Sequence, residues 1–334
     1  SGDMAKPLQL FALQLCIYFS GFVVLDVVRD KTLLDVFHRI SLVVLLFWTA
    51  DLLFQISVGK DLFGFETHAR PGIYFSSHFK FGFYYGVLSP LLLFNPHFLR
   101  WNIAIKLAVY FTVLAVVLFC NTRSAWLIFG IASLFWFALL LRRGKVTRPQ
   151  VGALVLGIPL AIVLLSLVSN DFHTRLGTFL PMLDGLSGIR QVTPIRTELW
   201  LNLGNMISEN FYFGAGAGNF ETAYEKFSDL AAGPEKIYTH SHQVLLELWV
   251  GTGLVGAVLW FVLHWLIFTR WIKSPARLLA LPFILVPLVM WMPFNSHRNV
   301  YSSELMQFTW LWIAMGIGLL YPASADTQQN HKPL

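Results

Sequence analysis

Charge is what this 334-residue sequence has least of. Only 13% of its residues are Asp, Glu, Lys or Arg, about half of the ~25% usual in a soluble domain. That is too little polar surface to cover a globule in water. Cysteine is nearly missing too. Cys16 falls inside one apolar run and Cys120 near the end of another, so a disulfide framework and a cysteine zinc site are both excluded. No glycine loop is followed by Lys-Ser or Lys-Thr, and no nucleic-acid motif occurs. There is no cleavable signal pattern, and no alternation of the kind a membrane barrel needs.

What is present is apolar: 56% of the chain is hydrophobic and 16% aromatic. Nine runs, at about 8–28, 37–58, 80–97, 101–120, 123–141, 150–168, 242–269, 277–293 and 304–321, read as membrane spans. Most approach the ~20 residues that cross hydrocarbon as a helix. Lipid leaves each backbone group to be satisfied within its own segment, so all are expected to be helices. The fold class expected is an all-α integral membrane protein, a multi-span bundle.

Two basic stretches, "RRGKVTR" at 142–148 and "RWIKSPAR" at 270–277, set the orientation. The positive-inside rule assigns them to the cytoplasm. Three segments then face outward: 59–79, the long 169–241 and the short 294–303. The organisation expected is 1–168 as N-terminal membrane helices with the 59–79 loop, 169–241 as the large loop, and 242–334 as C-terminal helices with a cytoplasmic tail. An odd number of spans puts the N-terminus outside, an expectation that implies further helices upstream.

That outer side carries more basic residues than the rule allows, among them Arg70, Lys80, Arg123, Arg190 and Arg196. A solvated loop surface or pairing with anionic headgroups accounts for some. The alternative is an anion site, because arginine presents a planar fork of donors that suits phosphate. Arg123 stands at the outer start of a span, in "NTRSAWLI". A cation there opposes the helix dipole unless an anion is near, or unless it snorkels to the interface.

In the large loop, Leu199, Trp200, Leu203, Met206, Ile207 and Phe211 recur at helical spacing. An amphipathic helix is expected there, lying on the membrane or capping the bundle. "GAGAGNF" follows as a permissive turn. The loop ends in "YTHSHQVLLELWVGTGLVG", with His240 and His242 two apart and Glu247 inside the next helix. Zinc on a helix wants histidines at i and i+4 with a third ligand, which this spacing does not offer. Two readings stay open: a polar lead-in without chemistry, or a general base or donor to a substrate. Glu247 would orient a histidine or pair with a loop arginine.

Four stretches together resemble the O-antigen ligase and O-antigen polymerase superfamily of bacterial envelope glycosyltransferases. "ADLLFQISVGKDLFGF" with "RPGIYFSSHFKFG" resembles its first outer loop. "NTRSAWLI" resembles its Thr-Arg-Ser element. "RTELWLNLGNMISENFYFGAGAGNF" resembles its arginine-led helix and glycine turn. "HSHQVLLELWVGTGLVG" resembles its His-x-His element, with Gln243 where Asn is commoner.

The resemblance implies glycan transfer from an undecaprenyl-diphosphate carrier at the periplasmic face of the bacterial inner membrane, with no cofactor and no metal. A ligase passes the glycan to a lipid A–core sugar. A polymerase extends another carrier-linked repeat, and protein O-oligosaccharyltransferases form a third branch. By this analogy Arg123 and Arg196 bind the diphosphate, with Arg70 and Lys80 as further candidates, and His240 or His242 takes the acceptor's proton. Glu247 and Arg190 are supporting residues. Members commonly have about twelve spans of ~20 residues each, so about three are expected upstream of this chain. The ligase reading is favoured.

A transporter binding anionic lipid is the non-enzyme alternative. Transporters tend to show internal repeats and mid-membrane charges. No repeat is visible, and Asp26 and Asp51 fall near span ends.

Overall fold

A computed structural model describes residues 5–66, 78–144, 146–178, 181, 184–192, 194–226, 239–290 and 301–321. Fourteen helices are seen among them. The first nine are α1 (Ala5–Arg29), α2 (Lys31–Val58), α3 (His78–Leu93), α4 (Pro96–Leu99), α5 (Ile103–Phe119), α6 (Arg123–Arg142), α7 (Arg148–Val168), α8 (Asn170–Gly177) and α9 (Leu186–Val192). The other five are α10 (Pro194–Glu209), α11 (Phe220–Glu225), α12 (Val244–Lys273), α13 (Arg277–Met290) and α14 (Ser303–Leu320). No strand occurs among the described residues; Lys60 and Glu66 form an isolated bridge.

Each of the nine apolar runs coincides with a helix. α2, α6 and α12 are long and apolar enough to cross a membrane, and shorter apolar helices accompany them. The protein is a helical membrane protein. The run expected at 80–97 ends sooner: α3 stops at Leu93, and Asn95 then caps α4 by accepting from His97 N at 3.0 Å. An Asn-Pro pair is a helix start, and here it opens a separate short helix.

The chain forms two compact units, Ser1–Leu34 with Thr193–Leu334, and Asp35–Val192. In the second, α3 lies against α6 and the turn that precedes it through small residues. A Cβ on Gly82 would sit 2.7 Å from Cys120 Cβ, and one on Gly86 2.7 Å from Ala125 Cβ. Gly-x-x-x-Gly spacing lets membrane helices approach this closely. Thr49 Oγ1 and Tyr85 OH, 2.7 Å apart, tie α2 to α3. Tyr110 of α5 stacks on Trp136 of α6 at 5.3 Å.

In the first unit, α1 packs along α14. Tyr18 meets Trp310 edge-on at 4.9 Å, Gly21 faces Ala314, and Arg29 Nη2 donates to Tyr321 O at 3.0 Å. Phe283 of α13 stacks on Trp312 of α14, and Trp260 of α12 meets Trp310. The loop helices α10 and α11 join α12 around one buried cluster: Leu199, Leu203, Met206, Phe220, Ala223, Tyr224 and Val250. The expected amphipathic stripe is therefore real, and it faces protein. Its last member is not on it. α10 ends at Glu209, and Phe211 lies beyond, 38% exposed.

Candidate active site

The His-Ser-His turn is fixed by its central residue. Ser241 is fully buried, its hydroxyl donates to Gln243 O at 2.6 Å, and it accepts from Gln243 N at 3.0 Å. The same hydroxyl lies 3.4 Å from Glu247 Oε2. Trp200 Nε1 donates to Ser241 O at 3.1 Å, so α10 grips the turn from outside. Gln243 then caps α12, its side-chain oxygen accepting from Leu246 N. Its acceptor geometry does what Asn does at a helix start.

This anchoring decides where the imidazoles go. His242 takes a left-handed backbone, φ 53°, a conformation costing a non-glycine residue ~1–3 kcal/mol. Both rings then sit half-buried on one side of the turn, their centroids 4.0 Å apart. Thr239 Oγ1 lies 3.1 Å from His240 Nδ1. Glu247, buried at 1% exposure, reaches the turn through Ser241.

Tyr301, just before α14, is a site neighbour that sequence reasoning misses. It is buried with Ile17, Val244 and Met306. Burial pushes its phenol above the ordinary value, the Glu247 carboxylate adds to that push, and a hydrogen bond with Thr252 opposes it. Its hydroxyl occupies the space that a side chain on Gly251 would need. Only the pairing of an upstream glycine with a downstream tyrosine would have disclosed it.

Arg196 lies in the first turn of α10, half-exposed. It precedes Trp200 by four residues, so it shares the helix face that clamps the histidine turn. The first unit thus holds His240, His242, Glu247 and Arg196 on two elements joined by a hydrogen bond.

Arg123 belongs to the second unit, half-buried at the start of α6. The turn before it is unusual. Asn121 is left-handed at φ 51°, and Thr122 turns its hydroxyl back to Cys120 O at 3.0 Å instead of capping the helix. Asn121 Oδ1 and Ser124 Oγ are buried and, among the described residues, have no hydrogen-bond partner. An uncapped first turn leaves backbone N–H groups directed outward, a setting that favours anions. Arg190 is exposed on α9. Arg70 lies outside the described residues, and of Lys80 only the backbone, in α3, is described. Among the described residues no three His, Cys, Asp or Glu side chains form a metal-binding group.

The fold and the site define a polytopic helical protein with paired imidazoles at one end of a membrane-crossing helix. Residues 108–261 match the family described as O-antigen ligase, which supports the O-antigen ligase superfamily for this segment. The match contains Arg123, Arg190, Arg196, His240, His242 and Glu247, and begins after Arg70 and Lys80. No curated protein and no solved structure matches the chain. The family acts in O-antigen and glycan assembly, on lipid-linked glycans and lipid acceptors.

Proposed function

We propose that this protein is an O-antigen ligase. It transfers a glycan from an undecaprenyl-diphosphate carrier to a sugar of lipid A–core, at the periplasmic face of the inner membrane. The observation that carries the chemistry is the Ser241-anchored turn holding His240 and His242 side by side.

One imidazole takes the proton of the acceptor hydroxyl as that oxygen attacks the anomeric carbon. Imidazole suits the role of base, because its ordinary pKa lies close to ambient pH. Glu247 positions the turn through Ser241 and does not touch the reacting atoms.

The carrier leaves as a diphosphate, whose charge needs donors that are already in position. Arg196 and Arg123 supply them, with Arg70, Lys80 and Arg190 as further contributors. A guanidinium gives two parallel bonds to a phosphate, so the reaction proceeds without a metal. Displacement from the face opposite the diphosphate inverts the anomeric centre.

The test is transfer by purified protein in vesicles, given carrier-linked glycan with lipid A–core as one acceptor and carrier-linked repeat as another. Core-linked product of inverted configuration, formed in the presence of EDTA, is expected. Growth on the carrier alone would make the protein a polymerase. Single alanine variants at His240, His242, Arg123 and Arg196 should include at least one losing more than about 100-fold in rate, the usual scale for acid–base or charge-stabilising groups. Full transfer by all four overturns the site.

A further inference from the structure

The turn Phe211, Tyr212, Phe213 stands out because it is both rigid and uncovered. Its residues are 38%, 64% and 80% exposed, yet their backbone is pinned. Leu254 N donates to Phe211 O at 2.8 Å, Val255 N to Tyr212 O at 3.2 Å, Ala215 N to Val250 O at 2.7 Å, and Gly216 N to Gly251 O at 3.1 Å. These bonds fill the break in α12 at Gly253, where φ is 66° and ψ −168°. A broken helix at membrane depth must have its freed groups satisfied by protein, and this turn satisfies them.

The depth of the break follows from α12 itself. Its last turn carries Arg270 and Lys273, which mark one edge of the hydrocarbon. Twenty residues back from Arg270, at ~1.5 Å each, give the ~30 Å of a hydrocarbon core. That count ends near Val250, among the residues to which the turn is bonded. The aromatic turn thus lies at the other edge, where aromatic rings concentrate in membrane proteins. Beside it on α12, Val255, Val258 and Leu259 continue the apolar surface at 45%, 48% and 64% exposure.

We propose that Phe211, Tyr212 and Phe213 form an interfacial anchor that inserts among lipid headgroups and upper acyl chains. This segment of the large loop is then a membrane-contacting element. The anchor also bounds a height: Gln243 is seven residues from Val250, so the histidine turn stands at most ~10 Å above the hydrocarbon edge, within the headgroup zone.

The test is depth-dependent fluorescence quenching on the full chain in phosphatidylethanolamine–phosphatidylglycerol vesicles whose acyl chains are brominated near the carbonyl or near mid-chain. A bimane is attached, in a Cys16→Ala background, to Phe213→Cys, to Leu259→Cys as the deep reference, or to Asn205→Cys, exposed on α10, as the aqueous one. The label at 213 is expected to be quenched several-fold more by shallow than by deep bromine, with the order reversed at 259 and neither effective at 205. A label at 213 that behaves like the one at 205, or like the one at 259, overturns the anchor. The two reference labels differing from each other shows that the protein is folded. The placement does not draw on the transfer chemistry: absent activity with the expected quenching removes the ligase reading and leaves the anchor standing.

Discussion

Ser241 does more to shape the candidate site than either neighbour that attracts attention in the sequence. It accepts, donates and is gripped by Trp200 while fully buried. Replacing it with Ala leaves Gln243 N and its carbonyl without their partner. Buried polar groups stranded in this way cost about 1–3 kcal/mol. If that cost falls on the alignment of the imidazoles, transfer should slow by roughly 5- to 150-fold. The check is initial rate against protein level for Ser241→Ala. An unchanged rate would mean that the turn is set from elsewhere. Trp200→Phe keeps an aromatic ring and removes one bond, so a smaller loss in the same assay is expected.

At the scale of the element, α12 is the informative case. Its sequence reads as one apolar helix from 242 to 269, and hydropathy gives no sign of a break. The structure interrupts it at Gly253, in a conformation that is essentially glycine's own. A Cβ there would collide with Tyr212 and Phe213 backbone, and one on Gly214 would lie 2.6 Å from backbone atoms of 251–253. Gly253→Ala should therefore destabilise by more than about 3 kcal/mol, strain and collision adding together. Thermal unfolding in detergent measures it. Gly130→Ala, where a Cβ meets nothing within 4 Å, should leave the midpoint almost unmoved.

These contrasts show what the sequence could disclose. Apolar runs are legible because burial in lipid acts on each segment separately, so nine helices are readable from composition. Leu199, Leu203 and Met206 are readable because helical spacing is local. The break at Gly253 is not, since its partner lies some forty residues upstream and only tertiary hydrogen bonds connect them. Tyr301 escapes for the same reason. The glycines of "GAGAGNF" read as a permissive turn; all three do take positive φ, and Gly214 is in addition a close-approach position against the backbone of 251–253. Spacing assigns Phe211 to the α10 stripe because spacing alone does not say where a helix stops.

On the scale of the whole molecule, α12 puts the histidine turn and the basic 270–277 stretch at opposite ends of one membrane-crossing helix. An impermeant maleimide should label Thr239→Cys in intact spheroplasts, in a Cys16→Ala background. Pro275→Cys, at an exposed position just after α12, should react only after permeabilisation. The same side for both would remove α12 as a span, and with it the periplasmic placement of the site.

The pairing of α1 with α14 has a consequence for how the chain comes together. The unit Ser1–Leu34 with Thr193–Leu334 is discontinuous, and Asp35–Val192 is complete within one stretch. Synthesis runs from the N-terminus, so the continuous unit has all its parts while α14 is still unmade. Gly21 has to wait for Ala314, and Val28 for Gly318. Contacts so distant in sequence form late, because the loop they close must first exist. During that interval α1 lacks α14 on the face it will later bury against it. Shortening the nascent chain before Ser303 would leave that face permanently without α14, a ready target for membrane quality control.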